Sequence, residues 1–378
     1  MSYELRFSIS SLLILISVAW LYRRSLGNRK AEKPYPKSLL KNGEAFSESL
    51  YYQIKPLRNF EWRNTNPIQI RPFKPKYHLT MALENTTISE LLDVDKTYLD
   101  RIRLRRQLIK DHGNIVVDAN KKIAPAVSEF YTWMMGTYLP LRYPTMFQIV
   151  QNTSMVPKQR SQPLLTSLVT RETIPIRPPS TAIEALSLLG SHIDTEFLFL
   201  LPSSDPADDG KYKLEGYVTC FPSGFDTRKK INLTLADIHT PVPGYASKLE
   251  KSMDRFFATL PVGKIVKRVN WSVTTNTDLF ALGGNHVYEG EDTKYESIDL
   301  EKTVLRCERQ TLHRLPESKA LVFAFKTFQY PIRQIKEEGN GEMLAAAIEG
   351  LSDGSVPRMA YYKRGVVWGN AVREFLRS

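Results

Sequence analysis

The runs "EKTVLRCERQTLHRL" (residues 301–315) and "KALVFAFKTFQYPI" (319–332) decide the fold. Each reads as a strand, and Pro316-Glu317-Ser318 supplies a tight connection between them. Upstream, "KIVKRVNWSVTT" (264–275) is a third strand of the same kind. Earlier still, "DTEFLFLLP" (194–202) is a short buried strand. Across the turn Asp208-Asp209-Gly210 it is followed by "GKYKLEGYVTCF" (210–221), a hairpin signal. Between the second and third strands Tyr245, Leu249, Met253, Phe256, Phe257 and Leu260 recur at three- and four-residue spacing, which gives a helical interval one apolar face.

The order is therefore strand, strand, helices, strand, strand, strand. It predicts an α+β fold, a PAS-like antiparallel five-stranded sheet with helices over one face, whose core spans about 194–332. Additional helices are predicted over 88–110, 120–138, 333–350 and 362–377. The proline-containing stretch 150–180 reads as a long connection, and the Lys-, Asn- and Pro-rich residues 23–80 as a stem. The predicted domains are an anchor at 1–24, a stem or linker at 25–70, and a single large domain at 71–378.

With 42% hydrophobic and 11% aromatic residues in 378, the composition is that of a globular protein and excludes a disordered chain. Only Cys220 and Cys307 occur, which excludes a disulfide framework, a four-cysteine iron–sulfur cluster and a cysteine-built zinc site. Two buried free thiols are expected. The formal charge is +12, but the basic residues are spread along the chain and not gathered into a stripe interleaved with aromatics, so no nucleic-acid partner is expected.

Residues 7–22, "FSISSLLILISVAWLY", carry no charge and end against Arg23 and Arg24. The run is slightly short of the roughly 20 residues that span a bilayer, with Trp20 and Tyr22 suited to the interface. It reads as an N-terminal transmembrane helix, an uncleaved anchor in preference to a signal peptide. Arg23, Arg24, Arg29, Lys30 and Lys33 outweigh Arg6, which places the C-terminal domain in the cytosol. The expected localisation is a single-pass protein of the endoplasmic reticulum or mitochondrial outer membrane. The sequon Asn270-Trp271-Ser272 lies in a strand, where a glycan could not be packed, and a cytosolic domain removes that conflict.

Several chemistries fail on context. Gly350-Leu351-Ser352-Asp353-Gly354 matches the G-x-S-x-G elbow, but a helix precedes it, Pro357 follows, and no histidine lies beyond His313. Neither H-E-x-x-H nor G-x-G-x-x-G occurs, so electrons for any redox chemistry come from elsewhere. The strand "LRCERQTLHR" is charged on both faces. Arg306, Glu308 and Gln310 share one face, and Cys307, Arg309 and Thr311 the other. On strand 264–275, Arg268, Asn270 and Ser272 fall together. An ion-pair network at a sheet edge and a polar pocket with Glu308 as acid–base group both fit this pattern. In "IHTPVPGY" (238–245), Pro241 and Pro243 fix two φ angles behind His239. On its residues alone His239 is a helix-capping hydrogen bonder, an acid–base group or an iron ligand, and a haem iron needs only one protein ligand.

The segments "RPFKPKYHLTMAL", "VTCFPSGFD", "ADIHTPVPGYASKLEKSMDRFF", "VNWSV", "CERQTLHRLP", "IKEEG", "AAAIEGL" and "YKRGVVWG" follow one another in the order of a known family. Over about residues 71–370 the chain resembles the haem-dependent oxidative N-demethylases, here as a membrane-anchored member. The resemblance implies a PAS-like sheet holding haem b, with His239 as axial ligand to the iron. It implies a monooxygenase that converts a small N-methylated amine to the demethylated amine and formaldehyde. Dioxygen and a separate electron-donating reductase are its expected partners. Arg306, Glu308 and Arg268 form the implied catalytic set, and Arg309 and Asn270 join His239 in binding the cofactor. Arg268, Arg306 and Arg309 are candidates for the haem propionates or the oxygen pocket. A haem sensor or carrier without turnover, and a haem-free scaffold, are the competing readings.

Overall fold

The structure is a computed structural model and describes residues 46–151, 163–293 and 296–378. Strand β1 (Glu84–Thr86) is followed by helix α1 (Tyr98–Val116), which runs directly into β2 (Val117–Ala119). Helix α2 (Ala124–Trp133) then leads through a π-helical turn to β3 (Phe147–Gln151), β4 (Pro163–Ser167) and β5 (Thr173–Pro175). Helix α3 (Ala182–His192) is set by a capping box between Thr181 and Glu184. Next come β6 (Glu196–Pro202) and β7 (Tyr212–Val218), then the short helices α4 (Leu235–His239), α5 (Tyr245–Lys248) and α6 (Glu250–Thr259). The long strands β8 (Ile265–Thr274), β9 (Val304–Arg314) and β10 (Leu321–Pro331) follow. The chain ends in helices α7 (Ile332–Glu337), α8 (Gly341–Asp353), α9 (Met359–Tyr362) and α10 (Gly365–Arg377).

The expected five-stranded sheet is corrected to seven strands, each antiparallel to its neighbours, in the order β1-β8-β9-β10-β6-β7-β2. The two added strands, β1 and β2, are three residues long. That is too few positions for an alternating pattern to be read. Between β6 and β7 the turn passes through left-handed Asp209 (φ 49°) and Gly210 (φ 70°), the conformation Asp and Gly tolerate best.

Helices over one face is the second expectation the structure overturns. Because side chains alternate along a strand, Phe197, Phe199, Val322 and Ala324 pack on one face with residues of α2 and α3. Farther along that face Trp271, Leu305, Cys307 and Phe328 pack with α8 and α10. On the opposite face Leu200, Val266, Leu312 and Leu321 cluster with Leu235 of α4 and Phe257 of α6. Helices thus lie on both faces, and the architecture is a mixed α/β fold around a large antiparallel sheet. The stretch 150–180 is also more than a connection, since β3, β4 and β5 form a separate three-stranded sheet. Pro163 and Pro175 sit at strand ends, where a missing N–H costs the ladder little.

The expected membrane anchor falls on residues 7–22, outside the described residues. Among the described residues no helix is long and apolar enough to cross a membrane. The described residues therefore lend no support to the transmembrane helix or to the single-pass localisation. Cys220 and Cys307 are both buried and free.

The G-x-S-x-G stretch has a packing explanation. A Cβ on Gly350 would meet the Pro75 carbonyl oxygen at 2.3 Å, and one on Gly354 the Tyr77 oxygen at 2.0 Å. The two glycines let residues 75–77 lie against the end of α8, where the Tyr77 N–H donates to the Gly350 carbonyl (3.1 Å).

Candidate functional site

Helix α4 is only five residues long, and it carries His239 in its last turn. A capping box starts it: the Asp237 N–H donates to Thr234 Oγ1 (3.2 Å), and the Asp237 carboxylate accepts from the Thr234 N–H (3.3 Å). His239 Nδ1 lies 2.7 Å from the carbonyl oxygen of Leu235. A carbonyl only accepts, so Nδ1 carries the hydrogen and Nε2 keeps its lone pair. The imidazole stacks on Tyr245 with ring centres 4.6 Å apart and planes 11° from parallel. Burial, then the nearby Lys230 and Arg268 charges, push His239 down to about 4, so the ring is neutral at ordinary pH. Gly244, at φ 77°, turns the chain behind Pro243 into α5.

The polar residues of β8 and β9 meet across the sheet. The register sets Arg268 opposite Gln310, Asn270 opposite Glu308, and Ser272 opposite Arg306, all on the face that also carries the α4–α6 helices. Glu308 is buried and accepts from Gln310 Nε2 at 2.9 Å. The half-buried Arg268 guanidinium makes no hydrogen bond or ion pair among the described residues, and its Nε is a buried donor without an acceptor. Burial lowers its pKa, opposed by Tyr77 and Glu308. Arg306 is spent on the backbone: it donates to the carbonyls of Phe221 (3.0 Å), Pro222 (3.1 Å), Asp278 (2.8 Å) and Leu279 (3.0 Å). It therefore clamps two loops at the edge of the site. Arg309 points to the opposite face, where it pairs with Asp93 at 3.0 Å and donates to the Glu90 carbonyl. The structure thus brings His239, Arg268, Asn270, Arg306 and Glu308 to one side of the sheet and leaves Arg309 on the other.

Three further residues join this group that sequence reasoning missed. Lys363, buried between α9 and α10, donates to Asn270 Oδ1 (3.3 Å) and to the Trp271 carbonyl. Burial first, then Arg268, lowers its pKa to about 8. Lys230 donates to the Ile238 carbonyl at 3.3 Å, one residue from His239. His286 packs at a tilt against Tyr362, ring centres 4.5 Å apart, and is pushed down to about 4 by burial and then by Lys363. The only sequence signal for Lys363 was a lysine embedded in the family-like motif "YKRGVVWG". His286 carried none.

A cleft of about 720 Å³ opens beside His239 and is lined by Pro241, Pro243, Tyr245, Val287, Tyr288 and Tyr362, among others. That is within the usual size of small-molecule and cofactor sites. On the sheet face and around it, Arg268 Nε, Arg306 Nε, Thr327 Oγ1, Gln329 Nε2, Asn285 Oδ1 and His286 Nδ1 are buried without partners. Such groups are costly to leave unmade. Among the described residues no three His, Cys, Asp or Glu gather as a metal-ligand set. What the site offers an iron is one neutral imidazole with a free Nε2, the need of a metal carried in its own macrocycle.

Residues 82–373 match the family described as haem-dependent oxidative N-demethylase, alpha subunit-like.

Proposed function

This chain belongs to the haem-dependent oxidative N-demethylase family, alpha subunit-like, and from that premise we propose that it binds haem b through His239 and oxidises an N-methylated amine. The observation that carries the reading is the His239 Nδ1 hydrogen bond to Leu235, which leaves a neutral Nε2 for the iron. The unpartnered polar atoms around the sheet face fit a bound group with polar edges. Haem, when bound, supplies dioxygen activation with electrons from a separate reductase. In the overall conversion one oxygen atom enters the C–H bond beside nitrogen and the other leaves as water, consuming two electrons and two protons. The carbinolamine then releases formaldehyde and the demethylated amine.

The chain's own residues bind and orient. Stacking on Tyr245 and the turn through Pro241 and Pro243 hold the imidazole plane. Glu308 holds the amine proton in this reading, which its burial and its single hydrogen bond from Gln310 support. Arg268 is the cation left free to meet a carboxylate. Arg306 positions the loops at 221–222 and 278–279, and Asn270 positions Lys363. Arg309 stays outside this assignment because its guanidinium is engaged on the other face.

An absorption spectrum of the purified chain after haem reconstitution tests the reading. A Soret band that disappears in His239→Ala, with formaldehyde released from methylated amines when a reductase is supplied, is the expected result. A protein that stays colourless after reconstitution overturns it.

A further inference from the structure

Arg268 and Glu308 stand diagonally across β8 and β9 on one face, since Arg268 faces Gln310 and Asn270 faces Glu308. They form no ion pair with each other, and the Arg268 guanidinium has no hydrogen-bond partner among the described residues. Diagonal neighbours are roughly 7–8 Å apart, within reach of long side chains. The pair is held open.

The surrounding charge is lopsided. Arg268, Arg306 and Lys363 all feel the Glu308 charge, and none of these three cations forms an ion pair with a carboxylate among the described residues. The hydrogen bonds of Arg306 and Lys363 go to backbone carbonyls and to Asn270. The carboxylates lining the outer cleft are engaged elsewhere: Glu250 with Lys211 (2.9 Å), Glu289 with Arg358 (2.5 Å), and Asp237 in the α4 capping box. Glu308 is a single carboxylate against three cations, so positive charge is in excess on this face. A plain methylammonium ion adds positive charge to that excess, whereas a carboxylate relieves it.

We propose that the amine taken by this site also carries a carboxylate: it is an N-methylated amino acid in its zwitterionic form, with Glu308 facing the ammonium and Arg268 the carboxylate. The inference rests on the demethylase reading above and adds the substrate class to it. A guanidinium matches a carboxylate bidentately, and the open diagonal leaves the two opposite charges of the ligand separate partners.

Calorimetric titration of the full chain, haem-loaded, tests this with three probes: N-methylglycine, N-methylglycinamide and dimethylammonium. N-methylglycine is expected to bind at least about tenfold more tightly than either of the others. Arg268→Gln is expected to remove that preference while the Soret band remains, and Arg268→Lys to keep part of it. Equal or weaker binding of N-methylglycine overturns the proposal. So does an Arg268→Gln protein that loses haem yet keeps the preference, since Arg268 then serves the cofactor's carboxylates. The spectrum recorded before each titration separates the two readings: a preference for N-methylglycine without a Soret band overturns haem binding and retains the carboxylate site.

Discussion

His239 Nδ1 donates to the carbonyl of Leu235 one helical turn earlier, at 2.7 Å. The bond lies inside a five-residue helix whose start depends on Thr234 and Asp237. The direction of the imidazole is therefore fixed by a capping box that begins five residues before the ring.

Thr234→Ala removes that box. A lost N-cap costs about 1 kcal/mol, and the helix is too short to spread the loss. The expected outcome is a modest fall in unfolding free energy with a several-fold faster loss of haem to a scavenger protein. Unchanged haem retention would show that the turn through Pro241 and Pro243 holds the ring alone.

Acid should destabilise the chain well before its carboxylates titrate. His313 is fully buried with no partner for either nitrogen, and burial holds it at about 3. His192, also buried, is held at about 4 by burial and then by Arg106. Unfolded imidazole titrates near 6.5. These native pKa values are depressed, so the stability they contribute is whole above about pH 6.5 and is lost as pH falls toward 4 and 3. Two such groups give a slope of up to about 2.7 kcal/mol per pH unit. Urea midpoints at pH 7, 6 and 5 measure it, and a flat profile contradicts the burial of these rings.

Arg105 of α1 and Glu196 of β6 form a buried ion pair. Arg105 also donates to the carbonyls of Gly190 (2.8 Å) and Thr195 (3.1 Å), and Glu196 accepts from the Cys220 N–H (2.6 Å). Arg105→Ala strands the carboxylate and is expected to cost about 3–5 kcal/mol. Adding Glu196→Gln to it should recover part of that loss, because no bare charge is left. Denaturant unfolding of the single and double variants reads the coupling.

Gly350→Ala places a methyl group where the Pro75 carbonyl oxygen lies at 2.3 Å. Backbone must move, and overpacking of this kind costs about 1–3 kcal/mol. Since residues 75–77 carry Tyr77 to Arg268 and Lys363, the variant should also weaken ligand binding measured by calorimetry. Ser352→Ala, in contrast, should leave both stability and binding near the parent values, which a serine nucleophile would not allow.

Arg306→Lys keeps the charge and loses the fork that reaches four carbonyls. A loss of about 2–3 kcal/mol is expected from the buried acceptors left without donors. Thermal unfolding of the variant, with haem retention as the second readout, separates a loop clamp from a group that contacts the ligand directly.

Local pattern was enough to find β6 to β10, because alternating apolar positions and the left-handed turn at Asp209 and Gly210 are properties of neighbouring residues. The same alternation put Arg306 and Glu308 on one side of β9 and Arg309 on the other, and their contacts follow that division. The three-residue strands β1 and β2 escaped it. So did β3 to β5, whose prolines read as loop.

The sequence by itself determined the strand periods, the rigid turn after His239, and the charges on the sheet face, since each depends on residues within a few positions of one another. Tertiary packing alone decided that the sheet has seven strands and helices on both faces. It also decided that His239 presents Nε2, that Arg306 serves the backbone, and that Lys363 reaches Asn270 across 93 positions of chain. A side chain's partner at that separation is set by which surfaces pack together, and no local periodicity carries that information.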